Sequence, residues 1–315
     1  MSQFNALLEA KKPFLTDGGM ETWLFFQQGF EAPEFAALVL IDDEAARTAL
    51  NSYFDGLLEL AERAGTGFVL DTNTWRGCPV WAEKLGVSED ELLAMSGKAV
   101  AFAKDIRARW QDRVSPVLVN GVVGPADDGY KPGGSLTAAE AKEVHSRQIE
   151  VFAQSGVDMI SAITMTNIAE AIGIAQAAKE AGLPVVISFT VETDGRLPTG
   201  DLLGEAIEAV DAATGNAPAY YMVNCAHPDH FRDAVANGES WTSRIGGLRA
   251  NASRLSHAEL DEAEELDQGD PEEFGHLHAE LARLLPALKV VGGCCGTDHR
   301  HVGCVSHELH LSEAA

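Results

Sequence analysis

Two adjacent cysteines, Cys294 and Cys295, stand in the segment VVGGCCGT (290–297), at the end of a short apolar run near the C-terminus. Consecutive residues of an extended chain point to opposite faces, so both thiols converge on one point only if the backbone turns sharply. Gly292, Gly293 and Gly296 give that freedom, because glycine tolerates positive φ and close approach of other groups. A third cysteine, Cys225, ends the run YYMVNC and lies 69 residues before Cys294, too far for a local zinc-finger spacing. Should separate strands bring their ends to one rim, three thiolates there would form a soft-metal site. Zinc, which prefers tetrahedral sulfur and nitrogen and keeps one position open in catalysis, is the expected ion. Ordinary apolar packing is the expectation for Cys78 and Cys304. A redox or disulfide pair of Cys294 and Cys295 is the alternative to ligation, although adjacent residues close a strained ring.

The elements that must position these thiols follow from the pattern of short apolar runs alternating with longer helical stretches. Strands are predicted at Phe14–Thr16, Gly67–Leu70, Val117–Asn120, Met159–Ala162, Val185–Thr190, Tyr220–Asn224, Ile245–Ala250 and Lys289–Val291. Helical periodicity marks Asp43–Ala64, Glu89–Trp110, Thr137–Ser155, Ile168–Ala181, Leu202–Ala213 and Pro271–Leu285. Continuous apolar strands suit a parallel sheet covered on both faces, and the alternation suits repeated βα units. Eight such units predict a single α/β domain over residues 1–315, a (β/α)8 TIM barrel, a fold of roughly 250 residues with room for insertions. A doubly wound sheet is the competing architecture, but its dinucleotide form wants G-x-G-x-x-G after the first strand. Here that place reads Asp17-Gly18-Gly19-Met20-Glu21-Thr22, without the third glycine.

Composition narrows the partners. Lys and Arg total 23 against 48 Asp and Glu, a formal charge of −25, which repels phosphate backbones and anionic lipid. Neither nucleic acid nor a membrane is an expected partner. The N-terminus lacks an apolar signal core, and the longest apolar runs, such as LPVVISFTV (183–191), fall short of the roughly 20 residues of a membrane helix. Five cysteines, an odd number, do not describe a disulfide scaffold, so reduced thiols in the cytoplasm are expected. The acidic stretch Ser253–Phe274 reads as a long loop or solvated helix, a wet surface rather than a partner site. The Gly/Pro-rich connection Gly124–Ser135 is expected to lie over the catalytic face of the barrel.

With these residues in view, the chain resembles the homocysteine S-methyltransferase family. The segments GGCCGT (292–297) after the last strand, NCAHP (224–228) after the sixth and DGGMETWL (17–24) after the first carry the resemblance. LDTNTWRG (70–77), NGVVGP (120–125), SFTVETDGRLPTGDLLG (188–204), ANAS (250–253) and TDHRHV (297–302) extend it in the same order. The resemblance implies a zinc-dependent barrel with Cys225, Cys294 and Cys295 as ligands, methylating a thiol, with homocysteine as acceptor and methionine as product. It implies that Asp17 holds the acceptor's amino group and that the backbone of Gly18 and Gly19 receives its carboxylate. Helix or turn capping is the plainer role for Asp17.

Asn224, Thr72 and Thr74 end strands and could orient substrate or shape the metal site. Trp75, Trp23 and Tyr130 are candidates to cradle a cationic donor through their π faces. His301 matches a family histidine and is read as structural.

A free thiol, with a pKa near 8.5, is a poor nucleophile until it binds zinc and loses its proton. Zinc with three thiolates carries about −1, so a fourth thiolate stays electron-rich and attacks a methyl group on a sulfonium or quaternary ammonium. A small sulfonium such as S-methylmethionine or S-adenosylmethionine is expected, because the betaine branch carries a long C-terminal extension and this chain ends at Ala315. No cobalamin or folate module is expected. One departure matters. Family members close the fourth strand with a glutamate that also holds the amine, and here that place is Ile163, followed by Thr164. Either homocysteine is held differently, through Glu192 or a shifted Glu170, or the acceptor is another thiol. A metal or redox protein without methyl transfer is the alternative of a different class.

Overall fold

The computed structural model describes residues 2–131, 136–263 and 265–311. Its eight strands are β1 Phe14–Leu15, β2 Phe68–Asp71, β3 Val117–Val123, β4 Met159–Met165, β5 Val185–Phe189, β6 Pro218–Asn224, β7 Ile245–Ala250 and β8 Val290–Gly293. They pair in parallel in chain order, and β1 pairs with β8 through Phe14 with Val290 and Leu15 with Val291. That last pairing closes the sheet, so the fold is a (β/α)8 barrel and not an open doubly wound sheet.

The outer helices follow the local signals. Glu44–Ala64, Glu89–Trp110, Ala138–Ser155, Ile168–Glu180, Leu203–Thr214 and Pro271–Leu284 lie within a residue or so of their predicted bounds. Capping boxes at Ser88 with Glu91 and Thr137 with Glu140 satisfy first-turn amides that would otherwise lack partners. Among the described residues no helix is long and apolar enough to cross a membrane.

The barrel interior is more graded than apolar strands suggest. At its lower end Phe14, Val69, Leu118, Met159, Val186 and Tyr220 pack against Phe4 and Leu7 of the helix Gln3–Glu9, which closes this end. Two residues further along the strands, Thr16, Asp71, Asn120, Ser161 and Ser188 are buried and polar. Buried polar groups need partners. Here Asn120 Nδ2 donates to Asp71 Oδ1 at 2.7 Å and Ser161 Oγ donates to Asn120 Oδ1 at 3.1 Å. The alternation of inward residues thus turns the axis from oily to polar midway, below the mouth where barrel enzymes place their chemistry.

Candidate active site

The ends of β6 and β8 bring the three predicted sulfurs together. Cys225 Sγ lies 2.7 Å from Cys294 Sγ and 3.7 Å from Cys295 Sγ, and all three sulfurs fall within 4.8 Å of one another. Cys225 adopts φ of +54°, a left-handed turn that a non-glycine residue takes only under constraint, and this turns its thiol off the strand. On β8 and in the turn after it the glycines act differently from one another. Gly296 takes φ of +79°, whereas a Cβ on Gly292 would stand 2.4 Å from the Asp17 carbonyl, so close approach is what excludes a side chain there. A tetrahedron with Zn–S of about 2.3 Å has edges of about 3.8 Å, which the 3.7 Å pair matches. The 2.7 Å pair is tighter than that edge and longer than a disulfide of about 2.05 Å. All five cysteines are free. The donor set therefore fits a soft dication.

Electrostatics point the same way. Hydrogen bonds from Cys225 and Cys295 hold the Cys294 thiol well below its usual range, with Arg249 and Asn224 assisting. Cys225 is pushed well up by its bonds to Cys294 and Cys295 and by burial. For Cys295 the bond with Cys225 lowers the thiol, but its bond with Cys294, burial and the Cys294 charge outweigh it and raise it. Without a cation, then, one sulfur ionises and repels charge on the other two.

Asn224 and Tyr130 fasten the cluster. Asn224 is fully buried; its Oδ1 accepts from Thr164 N at 2.9 Å and Ser188 Oγ at 2.6 Å, and its Nδ2 faces Cys294 Sγ at 3.8 Å. Tyr130 Oη lies 3.2 Å from Cys295 Sγ, and its ring stacks on His257 at 4.5 Å between centroids. Burial and the nearby thiols raise the Tyr130 phenol, so the hydroxyl stays protonated and can donate. His257 Nε2 in turn lies 2.9 Å from the Cys225 carbonyl. His257 belongs to the acidic stretch after β7, and no sequence motif marks it. That stretch is more than wet surface, since Leu260, Asp261 and Leu266 wall the same cavity as the sulfurs. Of the Gly124–Ser135 loop, Asp128, Gly129 and Tyr130 line that cavity, while residues 132–135 lie outside the described residues.

The cavity holds about 380 Å³. Asp17, Gly18, Gly19, Thr72, Trp75 and Ile163 all line it with the three cysteines. Asp17 does not wait with a bare carboxylate. Arg249 of β7 spans Asp17 and Asp71, the three being buried at the base of the cavity. Burial raises the Asp17 carboxyl well above its usual range against the pull of Arg249, with Asp71 and Glu21 adding to the rise. Burial alone would lower Arg249; the two carboxylates outweigh it and keep the guanidinium charged. The amides of Gly18 and Gly19 are bonded to Tyr53 Oη at 3.0 Å and Thr297 O at 3.0 Å. Thr72 Oγ1 bonds Thr74 Oγ1 at 2.7 Å, and Trp75 Nε1 donates to the Ile163 carbonyl at 3.3 Å.

Other expected residues lie elsewhere. Trp23 packs on Tyr53 at 4.9 Å and does not line the cavity. Glu170, a candidate to replace the missing glutamate, instead accepts from Ala126 N at 2.7 Å and pairs with His145 at 2.8 Å. Glu192 pairs with His257 Nδ1 at 3.1 Å, also off the cavity wall. His301 is buried between Asp298 and the Gln268 carbonyl. Like His257, Asp71 and Arg249 are residues of the site that the sequence does not single out. One signal is available: a charged residue inside a strand covered on both faces must have a buried partner.

A sulfur-lined cavity at the C-terminal mouth of a closed barrel defines an enzyme class whose chemistry runs through thiols. The homocysteine S-methyltransferase family profile matches residues 14–309, and the chain belongs to that family of methyltransferases. It is 23% identical to homocysteine S-methyltransferase 1 of Arabidopsis thaliana, over 94% of this chain and 93% of that one. It is 27% identical to homocysteine S-methyltransferase 4 of Zea mays over 72% of this chain and 71% of that one. The fold is similar to that of the metallated homocysteine methyltransferase MmuM from Escherichia coli, with a TM-score of 0.75 over 97% of this chain and 99% of that chain at 20% identity.

Proposed function

We propose that the protein is a zinc-dependent S-methyltransferase that moves a methyl group from a small sulfonium donor to homocysteine, giving methionine. The observation that carries this reading is the trio of sulfurs on the wall of a cavity large enough for two small molecules. Cys225, Cys294 and Cys295 would hold the ion, which when bound keeps an incoming thiol as its thiolate. The chain's own groups do the rest. Asn224 and Tyr130 hold the sulfurs in place, and Asp17 and Thr72 face the acceptor from the ends of β1 and β2. Trp75 and Ile163 give an apolar wall that keeps water from the approaching methyl group. As the donor's S–CH3 bond breaks and the acceptor's forms, the sulfonium becomes a neutral thioether and the acceptor's proton goes to solvent. Charge is dispersed in that step, so a partly dry pocket favours it. A quaternary ammonium donor would satisfy the same balance. Reduced cysteines suit the cytoplasm as the place of action.

The apolar Ile163 side chain on the cavity favours a second reading, a different acceptor thiol. The test is the purified, zinc-loaded enzyme offered a panel of thiols against sulfonium and ammonium donors, with products identified by mass. Methionine formed with about one zinc per chain supports the proposal. Methylation of another thiol alone selects the second reading, and no transfer with little bound metal selects a redox role for Cys294 and Cys295.

A further inference from the structure

We infer that Glu21, on the turn after β1, is a specificity-determining residue that anchors the ammonium group of an aminothiol acceptor. The inference rests on the thiol-methyltransferase reading and deepens it. Glu21 lines the cavity together with Asp17 and the three cysteines. It follows Gly18-Gly19-Met20 directly, in the short helix Met20–Thr22 that leads the chain away from β1. Among the described residues, no other residue's donor is bonded to its carboxylate, which is met by its own main-chain amide.

The cations nearby are already taken. Arg249 is bound to Asp17 and Asp71 and to the Gly293 carbonyl. Arg76 bonds the carbonyls of Glu34 and Asp127 and lies between the rings of Trp75 and Trp81, 3.9 and 3.8 Å from their centroids. Both guanidinium groups act on Glu21 through space without bonding to it, and a part-buried carboxylate with no bonded cation gains from a ligand cation that pairs with it directly.

Glu21 shares the cavity wall with both Asp17 and Cys294. A cation beside Glu21 would therefore sit near the sulfur-binding point, as the ammonium of a small aminothiol does when its sulfur meets the cysteine trio. Ile163 offers no charge across the cavity, and Glu170 and Glu192 are engaged elsewhere.

The test compares wild type with Glu21→Gln in the zinc-loaded enzyme, using L-homocysteine and 4-mercaptobutanoate, the same chain without its ammonium group. Acceptor binding is followed by calorimetry without donor, and turnover with donor varied separately. Glu21→Gln should weaken homocysteine about tenfold or more, in Kd and in acceptor KM, while kcat stays within about threefold. Affinity for 4-mercaptobutanoate and the donor KM should change by less than about twofold. Equal loss for both acceptors would make Glu21 structural and overturn the inference, as would a rise in donor KM, which would place it against the sulfonium. Should wild type bind or methylate no thiol, the functional reading itself falls, a failure visible in the wild-type protein alone. Glu21→Asp, which keeps the charge, should retain discrimination between the two acceptors; its loss there would also count against the inference.

Discussion

Around one cavity, the ends of β6 and β8 gather three thiols, whereas β1, β2 and β7 gather two carboxylates and a guanidinium. The ionic group is paired within itself, because Arg249 meets both Asp17 and Asp71. The sulfur group does not balance itself, because ionising one thiol suppresses its neighbours. A cluster whose charges are bonded to one another builds and orients a pocket; a cluster with no cation bonded inside it is one that recruits a ligand. Glu21 lines the same cavity as both and, like the sulfurs, has no cation bonded to it.

The largest effect expected from breaking this contrast is on the sulfur side. Cys225→Ser and Cys294→Ser should each lose bound zinc and more than about a hundredfold in turnover, since ligands matter more than the 10–100-fold typical of their supporting groups. With metal removed from both proteins, unfolding in urea should move by less than about 1 kcal/mol, because the exchange is nearly isosteric and the fold's core lies elsewhere. Full metal content and turnover in both variants would reject the metal centre.

The next effect lies on the ionic side and is one of stability. Arg249→Met leaves two buried carboxylates facing each other, and breaking a buried ion pair from one side costs about 3–5 kcal/mol. Denaturant unfolding of the variant should register that loss, and Asp17→Asn with Asp71→Asn in the same chain should recover part of it. An Arg249→Met protein as stable as wild type would mean that the two clusters do not differ in kind.

The two halves are also unequally legible in the amino-acid sequence. Adjacent cysteines framed by glycines are a local signal, and with Cys225 at another strand end they indicate a rim site. Helix bounds are legible from periodicity and from caps such as Ser88 with Glu91. Arg249 and Asp71 are hidden because each lies in a short, mostly apolar strand and their contact spans 178 residues. No local spacing encodes such a pair; only closure of the barrel creates it. Glu192 and Glu170 mislead for a related reason. Sequence shows that a carboxylate exists, but not whether a histidine such as His257 or His145 has already claimed it.

A smaller effect concerns pH. Glu21 is raised to about 7 from an ordinary value near 4.5. A carboxyl raised on folding favours the native state fully below its unfolded pKa, and that contribution is lost as pH rises through the folded value. The empty wild-type enzyme should thus lose stability relative to Glu21→Gln between about pH 4.5 and pH 7. The loss is about 1–2 kcal/mol once screening by water in the cavity is allowed for. Thermal unfolding of both proteins at pH 5 and pH 8 measures it. Saturating homocysteine should shrink the difference by holding Glu21 ionised.

The smallest expected effect is also the sharpest test of how the pocket divides its work. Ile163 lies on the cavity wall with its carbonyl fixed by Trp75, so Ile163→Glu would place a second carboxylate there without moving the backbone. In wild type the gain in homocysteine affinity should be only about twofold, because Glu21 already faces the ammonium and the new charge must be desolvated in the empty site. In a Glu21→Gln background the same change should tighten binding about tenfold, since it then restores a lost counter-charge. Residues that share one partner show such coupling, whereas independent sites add. Equal factors in the two backgrounds, read by calorimetry, would mean that Glu21 and position 163 do not face the same group. The ionic half of the pocket would then have to extend beyond Glu21 to account for the acceptor.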